Sequence, residues 1–148
     1  MAIEIEHKYL VTDDSYKKMA KKILNIRQGY LNRSPDRTVR VRTVNDKGFL
    51  TVKGRNTGDH RLEFEYEVPY KEACQMLELA EPGIVEKTRY LVDYRSLTWE
   101  VDEFHGSLSG VVVAEVELPE KGWTYKKPPF IGTDITGDPR YYNSNLKI

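Results

Sequence analysis

Glu4, Glu6 and Lys8 fall at alternate positions in Ile3-Glu4-Ile5-Glu6-His7-Lys8-Tyr9. In an extended strand that spacing puts all three on one face and Ile3, Ile5 and Tyr9 on the other. The spacing returns in Arg40 and Arg42 beside Val39 and Val41, in Thr51 and Lys53 beside Leu50 and Val52, and in Glu63, Glu65 and Glu67 beside Leu62, Phe64, Tyr66 and Val68. It returns again in Lys87 and Arg89, in Glu100 and Asp102, and in Glu115 and Glu117. Carboxylates are hard oxygen donors of the kind Mg²⁺ and Mn²⁺ accept, although two from one strand cannot fill an octahedral shell. Arginine can grip two oxygens of a polyanion through its planar fork, and lysine brings a compact charge. Such faces either assemble a site for a metal and a polyanion or form ion pairs on solvated strands.

Period-two stretches predict strands near residues 2–10, 26–33, 38–44, 48–53, 61–68, 84–94, 97–104 and 111–118. Eight strands suit a closed barrel. Two segments read as helices. Asp13 or Asp14 can cap Ser15 to Leu24, where Tyr16, Met19, Ala20, Ile23 and Leu24 recur at helical intervals, and a second helix runs from Pro69 through Ala80 to the stop at Pro82-Gly83. Turns are expected at Asn32 to Asp36 and Asn45 to Gly48, a flexible loop at Gly54 to Asp59, and a mostly irregular tail after Pro119. Either the apolar strand faces fill the barrel and the charges face solvent, or a wet, charged tunnel runs inside with the apolar faces turned outward beneath the helices and tail. Periodicity alone does not choose. Enclosing so many charges is costly, so a tunnel calls for a ligand or a metal.

Composition narrows the function. Lys plus Arg number 23 and Asp plus Glu 23, a net charge of zero that argues against a general nucleic-acid or anionic-membrane surface. No stretch approaches the roughly 20 apolar residues of a membrane-crossing helix, and the start lacks a leader pattern, so a cytoplasmic protein of one domain, residues 1–148, is expected. The lone Cys74 cannot form a disulfide within the chain and reads as a buried thiol. The histidines His7, His60 and His105 form no zinc pattern, and no P-loop or Ser-His-Asp order competes.

The motif Glu4-x-Glu6-x-Lys8 resembles the signature that begins the CYTH superfamily, the triphosphate tunnel metalloenzymes. Further blocks match in order: Gln28-Gly29-Tyr30-Leu31, Val39 to Arg42, Leu50 to Lys53, Glu63 to Glu67, Lys87 to Tyr90, Trp99 to Phe104, Ala114 to Leu118 and Thr136 to Leu146. The likeness spans nearly the whole chain and is most similar to the compact bacterial inorganic triphosphatases. It departs at His7, where relatives commonly carry Arg, and at His60, where Ser or Thr is frequent.

The resemblance implies an eight-stranded antiparallel barrel, α+β but mainly β, around a charged tunnel with peripheral helices. It implies Glu4, Glu6, Asp102, Glu115 and Glu117 as ligands of Mg²⁺ or Mn²⁺. Lys8, Tyr30, Arg40, Arg42, Lys53, Lys87 and Arg89 become contacts to the substrate, and Glu63, Glu65 and Lys87 the groups that position or activate water. Arg140 and Tyr142 could close the tunnel mouth or belong to a structural tail. The expected reaction is hydrolysis of inorganic tripolyphosphate to pyrophosphate and phosphate. Class IV adenylate cyclase-like ATP cyclisation, nucleoside or thiamine triphosphate hydrolysis and noncatalytic polyphosphate binding are the alternatives. A homodimer stays open.

Overall fold

The computed structural model of the chain describes residues 3–141. The strands are β1 (Ile3–Val11), β2 (Lys22–Asn32), β3 (Arg37–Val44), β4 (Lys47–Gly54), β5 (His60–Val68), β6 (Val85–Tyr94), β7 (Leu97–Phe104), β8 (Val112–Glu117) and β9 (Ile131–Asp134). The helices are α1 (Tyr16–Met19) and α2 (Tyr70–Glu78), with single 3₁₀ turns at Gly106–Leu108 and Pro139–Tyr141. Around the barrel the order is β1-β8-β7-β6-β2-β3-β4-β5, and β5 returns to β1 by pairing Leu62 with Ile3, Arg61 with Glu4 and His60 with Ile5. Each pairing is antiparallel. β9 continues along β1, with Asp134 opposite Tyr9 and Ile131 opposite Val11.

The charged faces point inward. Lys87 and Asp102 are 1% exposed and Glu4, Lys8, Arg40, Arg89 and Glu115 are also buried. Apolar residues in the opposite phase build the outer layer: Tyr9, Val92, Trp99, Val101, Ala114 and Val116 pack with Tyr16 of α1 and with Leu118 and Phe130 of the tail. Burying each of these larger side chains is worth roughly 1.5–3 kcal/mol. On the far side α2 sets Ala73 and Leu77 against Val41, flanked by Leu50, Val68, Met76 and Ile84. The helix lies so close to the sheet that a Cβ at Gly48 would stand 2.5 Å from that of Ala73, and one at Gly29 2.8 Å from that of Ala80. Inward positions at one end of the lumen turn apolar: Val85, Phe104 and Val113 close on Ile135 of the tail and on Leu10.

Three expectations are corrected. The first helix stops at Met19, because Ala20 is extended (φ −67°, ψ 129°) and the chain from Lys22 to Gln28 pairs with Leu91 to Val85 of β6. The helical spacing of Ile23 and Leu24 carried no buried stripe, since Ile23 is 54% exposed, and a full ladder outweighs weak propensity. The tail after Pro119 supplies the strand β9, and Cys74 is half-buried rather than enclosed. Tyr142 and the end of the C-terminal motif lie outside the described residues. Among those described, no helix is long and apolar enough to cross a membrane.

Candidate active site

β1, β5 and β8 bring the acidic side chains to one region of the lumen. Glu6 pairs in register with Glu117, and Lys8 with Glu115. Lys53 of β4 reaches across to Glu4 at 3.1 Å and to Glu63 at 3.2 Å, while Lys8 stands 3.5 Å from Glu115. These carboxylates are crowded. Burial, with Glu115 and Glu4 close by, holds the Glu6 carboxyl well above the usual carboxylate range. Glu115 moves the other way: burial opposes its charge, yet Lys8, a hydrogen bond with Glu6, Arg89 and Lys87 keep it ionised. Burial likewise raises Glu4, and burial together with Glu63 and Glu100 raises Glu117.

The β6–β7 wall is organised differently. Arg89 grips Asp102 through Nε at 2.7 Å and Nη2 at 3.0 Å, and Lys87 Nζ stands 2.8 Å from the same carboxylate. Arg89 also reaches Glu100 at 3.1 Å. Burial would raise the Asp102 carboxyl, but Arg89 and Lys87 outweigh it and bring it down to about 2. Burial dominates at Lys87, whose ammonium is pushed down to about 8 despite Asp102.

β3, β4 and β5 add a third surface. Glu65 accepts hydrogen bonds from Thr51 (2.9 Å) and Arg42 (3.3 Å), and Arg40 lies 3.5 Å away. Burial beside Arg40 and Arg89 pushes the Arg42 guanidinium down to about 10. Tyr30 is buried, with the Arg33 guanidinium 4.9 Å above its ring. A cavity open to solvent is lined by Glu6, Lys8, Tyr30, Arg40, Lys53 and Arg61 among others, and Thr136 of the tail edges it. That tail is tied to β1: the Lys8 backbone N–H donates to Thr136 Oγ1 at 2.9 Å, and Lys8 Nζ donates to the Tyr141 carbonyl at 3.0 Å.

All the residues picked from strand phase thus face one lumen, which the barrel's closure assembles from seven of its strands and Tyr30 of β2 completes. Arg140 does not join them; it pairs with Asp138 at the surface. His7 faces outward, between Tyr125 (2.5 Å) and Asp59 (3.1 Å), and His105 sits at the turn after β7, 2.7 Å from Thr88. Arg61 and Gln28 were missed as lumen residues, while Thr51 and Glu100 were placed on the alternating faces but given no role. Arg61, whose guanidinium donates to the Gly54 carbonyl, Thr51, Glu100 and Gln28 all share the inward phase of their strands. Strand parity was the signal that could have found them.

An antiparallel barrel enclosing acidic and basic walls defines a binder of polyanions and cations. The CYTH domain model matches residues 2–142, and the chain belongs to that family. It is 54% identical over 147 residues to an inorganic triphosphatase of Acetivibrio thermocellus, covering 99% of this chain and 94% of that one. It is 32% identical over 151 residues to an inorganic triphosphatase of Nitrosomonas europaea, covering 98% and 97%. Among solved structures it resembles a crystal structure of an inorganic triphosphatase at 29% identity, with a TM-score of 0.68 over 99% of this chain and 95% of the other.

Proposed function

We propose that the chain is an inorganic triphosphatase that uses Mg²⁺ or Mn²⁺ to hydrolyse tripolyphosphate to pyrophosphate and phosphate. The observation that carries this is the pairing, in one tunnel, of a basic surface suited to a chain of phosphates with a carboxylate group so crowded that the Glu6 carboxyl is held well above its usual range. The two curated relatives bear the same activity in their names. A general polyanion binder would not need the carboxylates.

The donor set fits a hard divalent cation. Glu4, Glu6, Glu115 and Glu117 offer only oxygens, and a cation among them would offset the crowding that raises the Glu6 carboxyl. Among the described residues no three carboxylates already enclose an ion-sized space. Lys53 and Lys8 hold Glu4 and Glu115, and an arriving phosphate chain competes for those ammonium groups. Substrate would therefore release the carboxylates as it binds, coupling the two ligands. Held by those carboxylates, a divalent metal would supply Lewis-acid stabilisation of the charge that gathers on the phosphate.

Lys8, Arg40, Arg42, Lys53 and Arg89 hold the phosphate chain, with Tyr30 at its side. Asp102 orients Lys87 and Arg89 and borders the metal. Glu63 and Glu65 orient the attacking water. Its oxygen bonds to a terminal phosphorus as the bridging P–O bond breaks, pyrophosphate leaves, and Lys87, neutral above about pH 8, accepts the water's proton. The proposal extends to a cytoplasmic setting and to a homodimer through the uncovered strip of Ile3, Leu62, Phe64 and Tyr66, which are 50, 51, 42 and 62% exposed. Sedimentation that returns only monomer at micromolar concentration would remove the dimer.

The test is a product assay with equal tripolyphosphate, ATP and thiamine triphosphate in Mg²⁺ or Mn²⁺. Preferential, metal-dependent conversion of tripolyphosphate to pyrophosphate and phosphate is expected. Cyclic AMP from ATP, or no turnover of any substrate, would overturn the reading.

A further inference from the structure

Gln28 sits on the inward face of β2 with its side chain fully enclosed, and among the described residues neither its Nε2 nor its Oε1 has a hydrogen-bond partner. Since both ends lack one, the observation does not depend on which way round the amide is placed. A buried amide with nothing to bond forfeits its hydration, so native interiors pair such groups with protein, ordered water or a ligand. The strand register supplies the setting. Gln28 lies opposite Arg42 on β3 and opposite Val85 on β6. One inward step along β2 in either direction stand Tyr30, opposite Arg40, and Ile26, opposite Lys87. The Nε atoms of Arg40 and Arg42 are also buried without a partner among the described residues. Three donors on two adjacent strands are thus left open within one inward step of each other along the lumen.

We infer that Gln28 is a substrate-binding residue, its Nε2–H donating to a non-bridging phosphate oxygen of tripolyphosphate beside Arg42 and one inward step from Arg40. This rests on the triphosphatase reading and adds to it a neutral contact. Burial, with Arg40 and Arg89 close by, already disfavours the charge on Arg42, so another cation at position 28 would add repulsion before substrate arrives. An amide adds a directed hydrogen bond without charge.

The test replaces Gln28 in the full chain with Met, which keeps the volume and removes both polar ends, and with Glu, which keeps the shape and opposes the anion. Turnover of tripolyphosphate is read as KM and kcat, and thermal midpoints are measured with and without tripolyphosphate. Gln28→Met is expected to raise KM about 10- to 100-fold, the range for a lost hydrogen bond to a charged group. Its ligand-free midpoint should equal or exceed that of the wild type, and its stabilisation by tripolyphosphate should shrink. Gln28→Glu, able to pair with Arg42, should fold and lose more affinity still. A lower ligand-free midpoint in Gln28→Met with KM unchanged would mean that the amide only holds interior water, and the inference fails. If Gln28→Met does not fold, Gln28→Glu decides alone: unchanged KM sinks the inference. A wild-type protein inert toward tripolyphosphate sinks this inference and the triphosphatase reading together, whereas an active wild type with unaltered variants sinks this one only.

Discussion

Two walls of the same lumen solve the burial of charge in opposite ways. On β6 and β7, Lys87, Arg89, Asp102 and Glu100 form a compensated network in which the most enclosed carboxylate is matched by two cations. On the adjoining strands β8 and β1, Glu4, Glu6, Glu115 and Glu117 outnumber the lysines beside them, and burial beside other carboxylates raises the Glu4, Glu6 and Glu117 carboxyls. The first wall is complete in itself; the second is completed by something it binds. A residue's importance for stability and its importance for chemistry should therefore separate along the barrel's circumference.

The sharpest test removes Asp102. Asp102→Ala strands two buried cations and should cost about 3–5 kcal/mol of unfolding free energy in a urea titration. A loss under about 1 kcal/mol would erase the distinction between the walls. Glu6→Gln on the other wall should leave metal-free stability unchanged or improved while turnover falls by about 100-fold or more, as expected when a group stabilising developing charge is lost. Glu117→Gln should likewise impair metal use, read as a raised Mg²⁺ requirement.

Acidity sharpens the comparison further. Because the folded Glu6 carboxyl titrates above its ordinary value of 4.5, the native state holds the extra proton just above that pH. Metal-free stability should therefore fall as pH rises through that region, and Glu6→Gln should flatten the fall. For turnover the relevant group is Lys87 at about 8: the rate should climb as pH rises through that value and the ammonium gives up its proton. A bound polyanion raises an adjacent ammonium's pKa, so the inflection in kcat should lie above that in kcat/KM. A flat profile from pH 7 to 10 would remove Lys87 as proton acceptor. The smallest effect is expected at Arg40→Ala, where KM for tripolyphosphate should rise about tenfold with kcat nearly kept, since Arg42 and Lys53 share its task.

Much of this contrast could be read before any coordinates, because a strand writes its two faces in alternate letters. Glu4-x-Glu6-x-Lys8 and Arg40-x-Arg42 gave their shared faces away by spacing alone. Which face lay inside was not legible from the residues, since closure of β5 onto β1 is a long-range event that leaves no local mark; the family resemblance supplied it. The start of β2 misled because Ile23 and Leu24 fall at helical distance from Tyr16, Met19 and Ala20, and pairing with β6 decided otherwise. Gln28 and Thr51 were given no role for a different reason: a search guided by charge passes over neutral side chains, although both are fully buried in the inward phase.

The alternation has a further effect. Val41 lies under Ala73 and Leu77 of α2, and its immediate neighbours in the chain, Arg40 and Arg42, project into the lumen. The tunnel wall is one residue thick, so the hydrophobic packing outside is the template on which the substrate grip is cast. A slightly larger side chain at Gly48, where the helix already touches the strand, would press on β4 and its inward Lys53 as surely as on the fold itself. In such a molecule, variants selected for heat tolerance through the helix-facing layer should carry altered substrate preference as a by-product, and loss of affinity should be curable from the outside.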